Sequence, residues 1–325
     1  MKVKILVSGA SGFLGSWTCR VLSKSHEVIG LVREDSDTYR LENIQGLTVK
    51  KSQPRMWKKL IKDINPDVML LLHWDGVSNL ERNSEGQELN VESFREIVSA
   101  AVAANIPKII GFGSQAELGP VSTQISDHQA DNPTTLYGKA KVECRSVGFD
   151  LAKNSNTVFI WVRIFSTYGP LDAENWLIPS AILTLNESKK FQTTSGEQEW
   201  SFLHAYDFVL AVKTLIENKS QQKVFNLGNT TTNILKGALI TIQDLIGKGD
   251  LIEFGSIPYR SDQVMRLEPR CEGLVGLGWR PVVPLKNGLI QTINWFTNQS
   301  ESALLTDTNS SLYFDLPKRI KRINN

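Results

Sequence analysis

Short apolar runs alternate along the chain with longer stretches in which apolar residues recur every three or four positions. The runs lie at residues 3–7, 28–32, 68–72, 109–112, 158–164 and 224–227. They are rich in Val, Ile and Leu and lack strict alternation, as strands covered on both faces do. Between them, 15–24 places Trp17, Val21 and Leu22 on one side. The stretch 91–104 spaces Phe94, Ile97, Val98 and Ala101 as one helix face, and 137–153 carries a third helical pattern. Strand, helix, strand, helix predicts an α/β fold: a doubly wound parallel sheet with right-handed crossovers and helices on both faces. The alternation holds to about residue 164. Segments 170–200 and 229–270 then read as helical fragments and polar loops, and a helix at 285–296 closes the pattern after Gly278-Trp279.

Composition narrows the possibilities. Lys plus Arg is 36 and Asp plus Glu is 34, a net charge of +2, so the basic surplus of a dedicated nucleic-acid binder is missing. Cys19, Cys144 and Cys271 are too few and too scattered for a disulfide framework or a zinc site. No run approaches the ~18 apolar residues of a membrane span. Met1-Lys2-Val3-Lys4 leads straight into a strand rather than a signal peptide. The expectation is a cytoplasmic protein with neither nucleic acid nor membrane as partner.

The first strand ends in Gly9-Ala10-Ser11-Gly12-Phe13-Leu14-Gly15, and a helix follows at once. Glycines in such a turn permit backbone angles that side chains resist, let the backbone approach a pyrophosphate, and seat the helix against the strand. The helix N-terminus then offers N–H groups to phosphate oxygens. Gly9, Ser11, Gly12, Phe13, Leu14 and Gly15 are therefore read as dinucleotide-binding. This makes residues 1–169 a Rossmann-type domain, rejoined by a strand near 224–228. Residues 170–300 form a smaller, interleaved substrate domain. Residues 301–325 form a polar tail ending in Lys318-Arg319-Ile320-Lys321-Arg322, read as a solvated extension. The second strand ends in Val32-Arg33-Glu34-Asp35. Val32 stands where an acidic residue would select the ribose hydroxyl of NAD, and Arg33 could form a forked pair with the 2′-phosphate of NADP. NADP is the preferred cofactor. The alternative is NAD, with Arg33 paired to Glu34 or Asp35.

Tyr137 and Lys141 are four residues apart and share a helix face. An ammonium beside a phenol draws its pKa down from ~10, which would make Tyr137 a general acid–base for a sugar hydroxyl or carbonyl. Lys141 could also hold the nicotinamide ribose, while Lys139 reads as a solvated helix residue.

Together, the spacing G-x-x-G-x-x-G, Tyr137-Gly138-Lys139-Ala140-Lys141 and the segments around them resemble the extended short-chain dehydrogenase/reductases acting on nucleotide sugars, over about residues 1–296. The resemblance is carried further by Pro66-Asp67-Val68 with Leu71-Leu72-His73-Trp74, in which Trp74 stands where a small residue is common. Asn132 to Tyr137, Arg163-Ile164-Phe165-Ser166-Thr167-Tyr168-Gly169-Pro170, Phe225-Asn226-Leu227-Gly228 and Leu277-Gly278-Trp279-Arg280-Pro281 also match. It implies that Ser114, at the end of the fifth strand, completes a catalytic set with Tyr137 and Lys141. It further implies that Asn90 and Ile164 belong to the cofactor site, and that Gln115, Ser166 and Arg260 belong to the substrate site. A surface pair with Asp262 is the other reading of Arg260. His73 and His204 read as structural. Helices 91–104 and 137–153 match those that pack into a family dimer, with Val142 and Val147 as candidate contact residues, so a homodimer is expected.

Departures from the family pattern bear on the reaction. The 4,6-dehydratases carry Ser/Thr-Asp-Glu after the fifth strand, whereas Gln115 and Ala116 follow Ser114, and Glu117 lies one place too far along. Dehydration then lacks its proton carriers. Trp200-Ser201-Phe202 replaces an Arg-Asp-Phe segment, and the third strand near 49–52 lacks the Asp that commonly meets adenine. The resemblance therefore implies an NADP-dependent oxidoreductase of a nucleotide-activated sugar, nearest to the 4-keto-6-deoxyhexose reductases. A 4-epimerase with retained NAD is the alternative, and a non-catalytic NADP(H) sensor is a third reading.

Overall fold

A computed structural model describes residues 2–53, 56–78, 80–260, 263–298 and 316–319. Seven parallel strands form the central sheet: β1 (Lys4–Ser8), β2 (Glu27–Val32), β3 (Leu47–Lys51), β4 (Val68–Leu71), β5 (Lys108–Ser114), β6 (Val158–Ile164) and, after four short strands, β11 (Val224–Leu227). Their order is β11-β6-β5-β4-β1-β2-β3. The strands predicted from apolar runs are thus present, and all four residues of β4 are buried. The order reverses between β1 and β4, which opens a crevice beyond the carboxyl ends of those two strands.

Helix α1 (Phe13–Leu22) covers one face of the sheet, with α6 (Ala205–Glu217) and α8 (Glu272–Gly276) alongside it. Trp17, Phe208, Val212, Leu274 and Trp279 fill that layer. The other face carries α2 (Trp57–Ile64), α3 (Gln87–Ala103) and α4 (Leu136–Ala152), with Trp57, Ile61, Phe94, Val98 and Cys144 inward. Val147 lies in this core, only 5% exposed, so it cannot offer the surface contact expected of it. Helix α3 starts four residues before its predicted first turn, because Gln87 and Asn90 are buried as polar anchors and leave no apolar signal. Neither α2 nor α6 was marked by the alternation. Lys108 ties α6 to the sheet: its Nζ donates to the carbonyls of Leu215 and Ile216, each at 2.8 Å, satisfying acceptors that a helix end leaves unpaired.

Segments 170–200 and 229–270 fold into a smaller layer beside the sheet's carboxyl edge. Helices α5 (Leu177–Asn186), α7 (Leu235–Ile246) and α9 (Leu285–Thr297) pack around Ile182, Leu185, Leu239, Ile242, Leu289 and Phe296. Short pairings stitch them to the rest: β7 (Thr167–Tyr168) with β10 (Leu203–His204), β8 (Phe191–Thr193) with β13 (Ile252–Phe254), and β9 (Glu199–Trp200) between β12 (Asn233–Ile234) and β14 (Arg266–Leu267). Strands of two or three residues carry no readable period, which is why this layer reads as loops in sequence. The tail is not wholly the solvated extension expected: Pro317 is buried and its carbonyl accepts from the Trp295 indole at 2.9 Å, and Arg319 pairs with Glu174 at 2.8 Å, while Ile320, Lys321 and Arg322 lie outside the described residues. Among the described residues, no helix is long and apolar enough to cross a membrane.

Candidate active site

The turn after β1 is built by its glycines. Gly9 has φ +69°, and a Cβ there would lie 2.7 Å from the backbone nitrogen of His73. A Cβ on Gly15 would lie 2.1 Å from the Gly9 carbonyl oxygen, so α1 sits as close to the turn as backbone allows. Gly12 caps α1, with no side-chain cap and no acidic residue in the first turn. The first N–H groups of the helix are left for an anion. The turn has the backbone groups that would suit a diphosphate; Ser11 lines the cleft with Gly9 and Gly12, while Phe13 and Leu14 pack partly against the core.

A cleft of about 660 Å³ runs from Gly9, Ser11 and Gly12 past Val32 and Arg33 to the loop leaving β4, where His73, Trp74, Asp75 and Gly76 line it together with Asn90. His73 Nδ1 lies 2.7 Å from Ser8 Oγ. Burial, helped by the charges of Lys141 and Arg33, pushes the imidazole down to about 4, so it is neutral and structural. Asn90 grips the backbone of Asp75 with two hydrogen bonds, accepting from its N–H at 3.0 Å and donating to its carbonyl at 2.9 Å. Arg33 stands at the end of β2, where its Nη1 meets Asp75 Oδ2 at 2.7 Å and its Nε meets Asp35 at 3.8 Å. Asp75 is a partner that sequence reasoning missed, since β4 brings it across the cleft from far along the chain. Glu34, the other partner considered, instead accepts from Gln53 Nε2 at 3.0 Å.

The three candidate catalytic residues collect at the carboxyl end of β5. Ser114 closes that strand. Tyr137 and Lys141 lie on α4, whose first turn is capped by Thr135, the Thr135 oxygen accepting from Gly138 N–H at 3.1 Å. The loop after Trp74 pins the same turn: Arg82 and Asn83 accept from the N–H groups of Tyr137 and Leu136. Ser114, Tyr137 and Lys141 are 7%, 9% and 6% exposed. Ser114 Oγ donates to Gln115 Oε1 at 2.5 Å and accepts from the Ala116 N–H at 3.2 Å.

The expected effect of Lys141 on Tyr137 is absent. Burial pushes the Tyr137 phenol above its ordinary value, while the neighbouring Ser114 side chain and the charge of Arg82 pull it back. Lys141 Nζ sits 5.7 Å from the Tyr137 ring centre. It donates to the Phe112 carbonyl at 2.8 Å and lies 3.5 Å over the Trp74 ring. Sharing a helix face brings the two residues together, yet a backbone carbonyl and an indole take the ammonium. Burial draws Lys141 down to about 8.

Residues 5–228 match the family model described as the NAD dependent epimerase/dehydratase family. The chain belongs to this family. Human dTDP-D-glucose 4,6-dehydratase is 24% identical, the match covering 90% of this chain and 89% of that protein. CDP-abequose synthase from Salmonella typhimurium is 25% identical over 89% of this chain and 97% of its own. Two solved structures share the fold. UDP-glucose 4-epimerase from Thermotoga maritima superposes with a TM-score of 0.82 at 18% identity, covering 91% of this chain and 99% of that one. UDP-N-acetylglucosamine 4-epimerase from Methanobrevibacter ruminantium gives 0.83 at 20%, covering 92% and 100%.

Within this family frame, two features of the chain stand out. Glu117, the carboxylate nearest the end of β5 in sequence, is fully buried. It accepts from the Ser114 N–H at 2.9 Å and from the Trp161 indole at 3.0 Å, and it pairs with Arg145 and Arg163 at 3.0 and 3.3 Å. Asp131 bonds both guanidiniums in turn. Burial pushes the Glu117 carboxyl up and the two arginines pull it back. It is a structural anchor. Trp74 is the second feature: its ring meets Tyr137 edge-on at 5.7 Å, and its replacement of a small residue was the available signal. Ile164 ends β6 beside Ser114. Ser166 is half-buried and accepts from the Leu203 N–H. Arg260 is exposed, between β13 and β14, and is not among the residues lining the cleft. Asp262 lies outside the described residues.

Proposed function

We propose that this protein reduces the keto carbon of a nucleotide-activated 4-keto-6-deoxyhexose, with Tyr137 delivering the proton to the carbonyl oxygen. The observation that carries this reading is the gathering of Ser114, Tyr137 and Lys141, all almost wholly buried, behind the cleft at the end of β5, with Glu117 turned away into its arginine pair. A reduction starts from a protonated phenol, because Tyr137 must donate. A dehydration would need a free carboxyl at the end of β5, and Glu117 is not free. The bound nicotinamide cofactor supplies the hydride. Ser114 orients the reacting oxygen, and Lys141 holds the cofactor ribose once its ammonium turns toward the cleft. Gly9, Ser11, Gly12, Phe13, Leu14 and Gly15 hold the diphosphate, with Asn90 fixing the loop opposite and Ile164 closing the far wall. Gln115, Ser166 and Arg260 are assigned to the nucleotide sugar.

NADP is the cofactor favoured, because Val32 gives no carboxylate for the adenosine ribose and Arg33 stands beside it. Asp75 competes for that guanidinium. The alternative reading, a 4-epimerase with retained NAD, uses the same Tyr137 first as base and then as acid. A non-catalytic NADP(H) sensor would not need Ser114, Tyr137 and Lys141 buried together. We also propose a homodimer through α3 and α4, where Leu89 is 67% exposed and Val142 half-buried. Light scattering at micromolar concentration should give twice the chain mass, and a monomer would contradict it.

The test is to incubate the protein with NADPH and a nucleotide-activated 4-keto-6-deoxyhexose. One NADPH should be lost per sugar reduced, and Tyr137→Phe should lose turnover by about a hundredfold or more while still binding cofactor. Interconversion of sugar epimers with no NADPH loss would replace this reading with the epimerase. Unaltered partner binding by Tyr137→Phe, with no turnover in either protein, would favour the sensor.

A further inference from the structure

Trp74 stands between the two halves of the candidate site. The dinucleotide cleft is lined by Trp74 but not by Ser114, Tyr137 or Lys141, and these three are almost wholly buried behind it. The ammonium of Lys141 has the Phe112 carbonyl on one side at 2.8 Å and the indole face on another at 3.5 Å. A sugar hydroxyl accepting from that ammonium would need an oxygen roughly 2.9 Å away, in space that the ring takes up on its side. An indole face over a partly desolvated cation is itself favourable, so the contact is a stable resting state rather than an accident of crowding.

The surroundings of Trp74 separate its backbone from its side chain. Asn90 clamps the backbone of the next residue through both its N–H and its carbonyl. Gln87 holds the carbonyls of Gly76 and Glu81 at 2.7 and 3.2 Å. The side chain has one polar tether, from Nε1 to Gln87 Oε1 at 3.0 Å. The loop is therefore fixed, and the indole leaves Lys141 by turning about its own side-chain bonds at the cost of that one hydrogen bond and the cation contact.

We propose that Trp74 is a positioning residue that closes Lys141 off from the cleft, so that a nicotinamide dinucleotide engages fully only after the indole swings off the ammonium. The inference rests on the reading of Lys141 as the group that holds the nicotinamide ribose. A state that must open first weakens apparent affinity by the open fraction. A ligand that reaches only the phosphate turn and the adenosine end is free of that penalty, because it never meets Lys141.

The experiment compares NADPH, NADH and ADP binding to the wild type, Trp74→Ala and Trp74→Phe by calorimetry. Trp74→Ala should bind the preferred dinucleotide about tenfold more tightly, Trp74→Phe should fall between it and the wild type, and ADP should bind all three proteins within about twofold. Equal ADP binding shows that the variant cleft is folded, and Trp74→Phe covers the case in which the alanine variant does not fold. Dinucleotide affinity that is unchanged or weakened, with ADP binding intact, overturns the proposal and makes Trp74 a plain wall of the site. If the wild type binds neither dinucleotide nor ADP, the cofactor reading itself fails and this inference falls with it.

Discussion

Lys141 and Tyr137 share a helix face, yet the ammonium and the phenol answer to different neighbours. Burial acts on both and favours their uncharged forms: it raises Tyr137 and draws Lys141 down to about 8. A lysine that must be charged to donate to a ribose should then lose its hold as pH rises through about 8. Cofactor dissociation constants should climb about tenfold per pH unit above that point, and Lys141→Met should bind weakly and flatten the slope. Titrations from neutral to alkaline pH check this, and a flat wild-type profile would contradict it. Arg33 poses a comparable question at the other end of the cleft. Its ion pair with Asp75 is partly exposed, and such pairs contribute about 1 kcal/mol or less. Asp75→Asn should therefore raise the NADPH-to-NADH affinity ratio by up to about fivefold. An unchanged ratio in fluorescence titration would show that Arg33 does not meet the 2′-phosphate.

At the scale of elements, strands and glycines were readable and long-range partners were not. Strands buried on both faces announce themselves as runs of Val, Ile and Leu. A turn that must pack a helix against a backbone carbonyl announces itself as Gly9, Gly12 and Gly15. Nothing local marks the pairing of Arg33 with Asp75, or of Lys141 with Trp74, because each forms only when elements far apart in the chain meet at one crevice. The dense polar knot under β5 is another such feature. Glu117 joins β5 to β6 through Trp161 and Arg163 and to α4 through Arg145. Removing one member of a buried ionic cluster leaves its partners' charges uncompensated. Glu117→Ala should cost about 3 to 5 kcal/mol of unfolding free energy in chemical denaturation, with the cleft intact in the folded fraction. A loss under 1 kcal/mol would show that the knot contributes little to holding β5 in place.

At the scale of the whole molecule, the sheet reversal between β1 and β4 gathers the phosphate turn, the Arg33 end and the Trp74 loop at one crevice, with Ser114 and Tyr137 immediately behind the indole. The smaller layer of α5, α7 and α9 stands over the sheet's carboxyl edge. Its two- and three-residue strands left no pattern, and the sugar and nucleotide are the least legible part of the protein for that reason. The central claim is spatial: the hydroxyl of Tyr137 and the reactive carbon of a nicotinamide ring serve the same sugar carbonyl. The most direct measurement is isotope transfer from NADPH deuterated at the reactive carbon to a nucleotide-activated 4-keto-6-deoxyhexose, followed by mass spectrometry of the product. The account predicts one deuterium retained at the reduced carbon with the wild type and none above background with Tyr137→Phe. With both hydrogens of that carbon replaced by deuterium, a wild-type product that carries no label, or transfer that is unaffected by Tyr137→Phe, would contradict it.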